Sequence, residues 1–181
     1  LDLAQAELRV ASQYAGATSM LELVESGQDA HGVTAVNLGL AQGPDDPGWY
    51  KARSVIAKRS NFSLIFGVGH VTFRADLRKQ SGIDLESPDH VCKPGKRGCS
   101  RRNCKVKRLI EEWHSLYPEF RPAIDSHMRV AEHDKRVWIR DDIYRPFTAL
   151  EQAYHEYHKA FNNRVHANIG YFTKRWMVLA E

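Results

Sequence analysis

The first residues of the chain place an acidic side chain at the end of a short apolar segment. Asp2 lies between Leu1 and Leu3, and this pattern predicts the end of a buried strand over residues 1–3. Carboxylate and carbonyl oxygens are the ligands that Mg²⁺ prefers, so the Asp2 side chain and the Leu3 carbonyl oxygen could together hold such an ion. The alternative is that Asp2 caps the N-terminus of a helix, a role that needs no metal.

A second set of side chains with chemical potential lies on the helix predicted over residues 49–66. Lys58, Phe62 and Phe66 are four residues apart, and residues at this spacing share one helix face, about 6 Å apart along the axis. The lysine of such a stripe can hold a phosphate group, and the rings can cover a sugar or stack on a base. A half-buried core face with a lysine at its edge would produce the same spacing.

Three cysteines and a histidine occur within the irregular segment predicted over residues 82–104. His90, Cys92, Cys99 and Cys104 supply three thiols and one imidazole, a set that suits a closed tetrahedral zinc site. The spacings are not the two-residue spacings of common zinc motifs, so three unrelated thiols in a loop are the alternative. An odd number of cysteines does not fit a secreted disulfide framework, and the sequence therefore predicts a reducing, cytoplasmic setting.

The positive charge of the chain is concentrated in one segment. The net charge is +4, yet eight basic residues and no acidic residue lie within residues 93–108, so the rest of the chain is acidic on balance. We expect Arg97, Arg101 and Arg102 in this segment to contact nucleic-acid phosphates, and a solvated surface is the alternative. No apolar run approaches the roughly 20 residues that a membrane-spanning helix needs.

Two segments, taken together, resemble motifs A and B of the family A (pol I type) DNA polymerases. The first is Leu1–Arg9 and the second is 53–67, and they follow each other in the order and at the distance found in that family. The resemblance implies a template-directed polymerase that adds dNTPs to the 3′ end of a primer on a DNA template, and the divergent motifs favour a phage-encoded enzyme. Two Mg²⁺ ions would assist the transfer, with Asp2 as the catalytic residue.

The resemblance also implies roles for individual residues. Glu7 matches the glutamate that excludes a ribose 2′-hydroxyl, and His31 matches a histidine that approaches the triphosphate. The implied nucleotide-binding residues are Gln5, Glu7, His31, Lys51, Arg53, Lys58, Phe62 and Phe66. The implied DNA-binding residues are Arg9, Gly67, Arg145, Asn162 and His166.

The chain departs from the family pattern at several of these positions. The family has an arginine four residues before the lysine of motif B, but here Arg53 lies five before Lys58. Either a one-residue bulge brings Arg53 round to the same face, or Lys51 takes its place. Phe66 stands where the family usually has tyrosine, and His166 where it usually has glutamine.

The predicted architecture is α+β and predominantly helical: a polymerase fingers subdomain with flanking palm elements. Residues 1–14 would form a palm strand and the start of a helix, residues 15–130 the fingers, and residues 131–181 a return to the palm with a hairpin or loop over 134–147. No apolar-flanked His-Asp dipeptide follows Asn162. The second catalytic aspartate, the thumb and the remaining palm are therefore expected outside the chain, which as given is not expected to polymerise.

The alternative function is a basic nucleic-acid-binding module, stapled by zinc and without catalytic activity. A polymerase must bring Asp2 and the Lys58 stripe to opposite walls of one cleft, whereas a binding module has no such requirement.

Overall fold

The computed structural model describes residues 5–86, 90–92, 102–140 and 142–179. Most of these residues are helical and one antiparallel hairpin accompanies them, which confirms the prediction of a predominantly helical α+β chain. In these ranges no helix has both the length and the apolar character that crossing a bilayer requires. In chain order the elements are α1 (Ala6–Ala15), α2 (Thr18–Glu25), α3 (Ala30–Asn37), a π-helical segment (Lys51–Ala57), α4 (Lys58–Leu64), α5 (His70–Ser81), α6 (Lys105–Leu116), α7 (Phe120–Asp134), β1 (Arg136–Arg140), β2 (Ile143–Pro146), α8 (Ala149–Ala153), a 3₁₀ turn (Glu156–Lys159) and α9 (Ala160–Leu179).

The chain forms two compact units. The terminal unit joins Leu1–Glu25 with Glu119–Glu181, and the central unit is Ser26–Pro118. The central unit lies within residues 15–130, the range for which the sequence predicts the fingers. Helix α2 belongs to the terminal unit because it packs against α1. Helix α7 belongs to it as well, since it packs against α1, β1 and α9.

The terminal unit is organised around helix α1 and the hairpin. Gly16 ends α1 in the left-handed conformation (φ 67°), which glycine adopts without steric cost, and its N–H bonds to carbonyl oxygens of the last helical turn. Strands β1 and β2 form the hairpin that the sequence left open as one of two possibilities over residues 134–147. A buried cluster beneath it comprises Ala131, Val137, Phe147, Tyr157 and Ala160.

The single last helix expected from residue 150 onward is divided in the structure. Thr148 and Glu151 form a capping box that starts α8, but α8 ends after one turn, and His155 follows in the left-handed conformation (φ 52°). The turn places Tyr157 in the core, where its ring packs edge-on against Phe147 with centroids 5.1 Å apart. Burial of the Tyr157 ring accounts for the interruption, because a straight helix would not turn this side chain into the core.

The central unit contains the helix predicted over residues 49–66, with two differences. Its first part is π-helical, and α4 ends at Leu64, so Phe66 lies in the following turn. Gly67 (φ 75°) closes this turn, with the Val68 N–H bonded to the Ser63 carbonyl oxygen at 3.2 Å. The helix predicted to reach residue 66 therefore ends two residues earlier.

Candidate functional site

The π-helical segment changes which side chains share a face of the central helix. The Lys58 N–H bonds to the Arg53 carbonyl oxygen, five residues earlier, instead of the usual four. This widened turn is the one-residue bulge that the sequence left open, and it places Arg53 one turn before Lys58. Lys51, the other candidate for the missing arginine, lies exposed at the start of the segment.

Arg53 is held by the residue that precedes helix α3. Its Nε and Nη2 atoms donate to the two carboxylate oxygens of Asp29, at 2.5 and 3.0 Å. Burial opposes ionisation of Asp29, but the hydrogen bond from Arg53 outweighs it together with the remaining contacts, and the pKa of Asp29 lies below its ordinary value. Asp29 immediately precedes α3, and a hydrogen bond from the Gly32 backbone N–H in the first turn of that helix also lowers the pKa of its carboxyl group.

Helix α3 presents His31 to the same face. The His31 ring lies against the ring of Phe62, with centroids 5.5 Å apart, and only 7% of His31 is exposed. Lys58, one turn before Phe62, is exposed, and in the described ranges it forms no ion pair. The structure thus brings together a free ammonium group, a half-buried ring and an imidazole.

A buried hydrogen-bond network fixes the tautomer of His31. The Trp113 Nε1 atom can only donate, and it donates to Asn61 Oδ1 at 2.8 Å, which identifies the other amide atom of Asn61 as nitrogen. That Nδ2 atom lies 3.1 Å from His31 Nδ1, which must therefore accept. The proton of the neutral ring consequently resides on Nε2, and His31 can act as a hydrogen-bond donor there.

His31 is neutral over the physiological pH range. Burial lowers its pKa to about 4, and although the Asp29 carboxylate raises it, the positive charges of Lys58 and Arg53 lower it further. The neutral imidazole can still donate one hydrogen bond from Nε2, but it adds no positive charge. The cationic character of the surface therefore rests on Lys58.

A second cluster in the central unit consists of sulfur and nitrogen ligands. His90, Cys92 and Cys104 each offer one ligand atom, and these atoms all lie within 4.8 Å of one another. The two sulfur atoms are 3.9 Å apart, far beyond the roughly 2.05 Å of a disulfide bond, and both cysteines are free thiols. The three residues are the described members of the predicted four-ligand set.

Helices α5 and α6 position these ligands. Cys104 precedes α6, where its sulfur accepts the Lys107 N–H at 3.4 Å, and Arg74 of α5 donates to the Cys92 sulfur at 3.7 Å and to the His90 carbonyl oxygen. Asp84 holds the buried Arg74 guanidinium with two bonds of 2.8 Å. Burial raises the pKa of the Cys104 thiol to about 12, so without a metal this group stays protonated.

The predicted residues of the terminal unit near α1 have structural partners. Arg9 is exposed and donates to the Val24 carbonyl oxygen at 2.7 Å, near the end of α2. Gln5 precedes α1 in the left-handed conformation (φ 57°), and its buried Oε1 has no hydrogen-bond partner in the described ranges. Glu7 is partly buried in the first turn of the helix.

The predicted DNA contacts farther along the chain are dispersed. Arg145 on β2 binds Glu151 at 2.6 Å and lies over the Phe147 ring, so its charge is already paired. Asn162 and His166 both lie on α9, where Asn162 is partly buried and His166 is exposed. A buried asparagine two residues after His166, Asn168, donates to the Ile139 carbonyl oxygen instead.

Several predicted residues lie outside the described ranges, and the unit boundary separates others. The residues outside the described ranges are Asp2, Leu3, Arg97, Cys99 and Arg101. Arg102 is described and lies in an exposed turn. Glu7 belongs to the terminal unit, and His31, Lys51, Arg53, Lys58, Phe62, Phe66 and Gly67 belong to the central unit.

Sequence reasoning missed the residues that hold both clusters in place. Asn61 precedes the predicted Phe62 and is fully buried, with hydrogen bonds to Thr34, His31, Trp113 and the Ala30 carbonyl oxygen. Arg74 lies in α5, and the sequence assigned it no role. For Asn61, the available signal in the sequence was an asparagine inside an apolar helical stretch. Nothing in the local pattern distinguishes Arg74 from the other arginines of α5.

The comparisons give the chain no family assignment. No protein-family model and no curated protein matches this sequence.

Proposed function

We propose that the chain is a piece of a template-directed DNA polymerase and that the central unit binds the incoming dNTP. The observation that carries the proposal is the π-helical turn, in which the Lys58 N–H bonds to the Arg53 carbonyl oxygen, so that both positive charges act on His31 of the His31–Phe62 ring pair. In this assignment Lys58 holds the triphosphate as a point charge. His31 donates from Nε2 to a phosphate oxygen, and Phe62 covers the sugar and base.

The catalytic half of the proposal rests on Asp2 and on the Leu3 carbonyl oxygen. These oxygens suit Mg²⁺, which in a two-metal site activates the primer 3′-hydroxyl and neutralises the leaving pyrophosphate. Both residues lie outside the described ranges, so the support for this half is the resemblance of Leu1–Arg9 to motif A.

The test is a binding titration on the 181-residue chain. Mg²⁺–dATP is added to ¹⁵N-labelled protein, and amide shifts are followed in the central unit. We expect saturable shifts around His31 and Phe62, about tenfold weaker binding for Lys58→Ala because a charged hydrogen bond is lost, and unchanged binding for the control Lys79→Ala, an exposed lysine on α5. Equal weakening by both variants, or shifts that avoid this face, would refute the nucleotide assignment.

A second candidate function follows from the sulfur and nitrogen cluster. We propose that His90, Cys92 and Cys104 hold a structural Zn²⁺ ion, with Cys99 as the fourth ligand. Two sulfurs on a tetrahedral zinc with bonds of about 2.3 Å lie about 3.8 Å apart, close to the 3.9 Å between Cys92 and Cys104. The ion would join the segment of His90 and Cys92 to the start of α6 and present the neighbouring basic residues to nucleic-acid phosphates.

Metal content tests this second candidate. We expect about one equivalent of zinc after mild purification, and a cobalt-substituted protein with the sulfur-to-metal absorption of thiolate ligands. Cys92→Ser and Cys104→Ser should each abolish both signals. Less than one-third of an equivalent of zinc in the unmodified chain would count against the site.

A further inference from the structure

A cavity of about 140 Å³ in the terminal unit is lined by positively charged and hydrogen-bonding side chains. Its polar wall consists of Ser126 and His127 from α7, Arg136 and Trp138 from β1, and Arg164 from α9, and it contains no carboxylate. One water molecule occupies roughly 30 Å³ in the liquid, so the cavity has room for a polyatomic anion. None of these residues belongs to the proposed nucleotide or zinc sites.

Arg164 has no acidic partner in the described part of the chain. Its guanidinium lies 4.3 Å from the centre of the Tyr14 ring and donates from Nη1 to His127 Nε2 at 3.1 Å. His127 bonds through Nδ1 to the Ala123 carbonyl oxygen at 2.8 Å, so Nε2 accepts and the imidazole is neutral. The buried Nε atom of Arg164 has no hydrogen-bond partner in the same ranges. A partly buried cation without a counter-ion is costly, which favours an anion at this place.

Arg136 supplies a second positive charge, which lies close enough to the Asp134 carboxylate to lower the pKa of that group. Its guanidinium lies over the rings of Tyr144 and Trp138, 4.6 and 5.6 Å from their centres, and its Nε donates to the Asp134 carbonyl oxygen. The Asp134 carboxylate is occupied by the Trp138 indole at 3.0 Å and by His133 at 2.7 Å. Across the described ranges Arg136 forms no ion pair.

We propose that this cavity binds a phosphate group. Two guanidinium groups offer paired N–H donors that match the oxygens of a tetrahedral phosphate, and the Ser126 hydroxyl at the exposed rim offers a further donor. Inorganic phosphate, a phosphomonoester and a nucleic-acid backbone share this chemistry. The site is independent of the dNTP proposal, because every residue that forms it belongs to the terminal unit.

The experiment uses the 181-residue chain and inorganic phosphate at constant ionic strength. The reporter is the indole resonance of Trp138, assigned with Trp138→Phe. We expect a saturable shift in the wild type and about tenfold weaker binding in Arg164→Gln and in Arg136→Gln, because each loses a charged hydrogen bond. Arg129→Gln is the matched control, since this exposed arginine on α7 is not part of the cavity wall and should leave binding unchanged.

A rim variant keeps the test valid if either arginine variant misfolds. Ser126→Asp adds a negative charge at an exposed position and should weaken phosphate binding while the circular dichroism spectrum stays unchanged. An oligothymidylate without terminal phosphates is then added as competitor. Displacement of phosphate assigns the site to a nucleic-acid backbone, and no displacement assigns it to a free phosphate or a phosphomonoester. Absence of a saturable Trp138 shift, or equal binding by wild type, Arg164→Gln and Ser126→Asp, would overturn the proposal.

Discussion

Two polar clusters of the central unit differ in whether protein groups alone satisfy their polar atoms. Around Asn61, the side chains of Thr34, Trp113, Tyr117 and His31 form a buried network in which each side chain makes at least one hydrogen bond to another member. Around Cys104, by contrast, sulfur and nitrogen ligand atoms face one another within 4.8 Å. A closed network of the first kind stabilises the fold, whereas converging acceptors of the second kind favour a bound cation.

The difference follows from the chemistry of the hub residues. An asparagine amide offers both donors and acceptors, so Asn61 can bridge an indole, a hydroxyl and an imidazole without any ligand. Thiols are weak donors and weak acceptors, and two of them in contact satisfy each other poorly. The first cluster should therefore respond to mutation alone, and the second to mutation and metal together.

The largest effect is expected from Asn61→Leu, which keeps the branched shape of the side chain and removes its hydrogen-bonding groups. Trp113 Nε1 and Thr34 would lose a buried partner, and unfolding in urea should show a loss of about 4 kcal/mol in the free energy of unfolding. Asn37→Leu makes the same exchange at an exposed position of α3 and should stay within about 0.5 kcal/mol of wild type. A loss below about 1 kcal/mol for Asn61→Leu would mean that the network is not closed.

Zinc should act on the second cluster only. At free zinc a hundredfold above the dissociation constant, the chain should gain about 2.7 kcal/mol of stability over the chelated protein. Cys104→Ser should remove this gain, while Asn61→Leu should keep it on a lower baseline. Urea unfolding with and without chelator measures both, and a zinc gain that survives in Cys104→Ser would remove that residue from the ligand set.

The helices and the members of both clusters could be predicted to different extents. Hydrophobic periodicity and turn residues indicated α1, α3, α5 and α6 within a few residues. The pairing of His31 with Phe62 lies 31 positions apart in the chain, and local pattern carried no sign of it. Only the resemblance to a family with a histidine at that place pointed to His31.

The limits of the sequence are clearest where tertiary packing decides the backbone. The π-helical turn was anticipated as one of two options because Arg53 was one residue out of register, and the structure has that turn. The interruption between α8 and α9 was not anticipated from the sequence. Residues 150–170 have an acceptable helical pattern, and only the burial of Tyr157 against Phe147 breaks it. Arg74 was missed because the need for a buried guanidinium arises from ligands far along the chain.

Acidification should weaken the closed network through His31. Burial holds the pKa of His31 at about 4 in the folded chain against an ordinary value of 6.5, so between these values the unfolded state binds more protons. Stability is unaffected by this group above pH 7 and falls as the pH drops from about 6.5 toward 4, by about 2 kcal/mol between pH 7 and pH 5.

His31→Gln is the control for this titration, because glutamine can still accept from Asn61 but does not titrate. Its free energy of unfolding should fall by about 2 kcal/mol less over the same pH range. His127 in the terminal unit, whose pKa burial also lowers, contributes with the same sign and remains in both proteins. Parallel pH profiles for wild type and His31→Gln would show that His31 does not titrate as a buried group.

The smallest expected effect tests where the closed network ends, at the ion pair of Asp29 and Arg53. A Cβ atom on Gly32 would lie 2.5 Å from Asp29 Oδ2 and 3.1 Å from the Trp49 ring, so Gly32→Ala should cost about 1 kcal/mol despite the higher helix propensity of alanine. In an Asp29→Ala background only the Trp49 contact remains, so the cost should fall, with a coupling of about 0.5 kcal/mol or more. Gly170→Ala is the matched control, because a Cβ there meets no atom within 4 Å and the change should stabilise α9 by about 0.5–1 kcal/mol. Equal costs of Gly32→Ala in both backgrounds would show that the carboxylate is not fixed by Arg53 and that the network ends at His31.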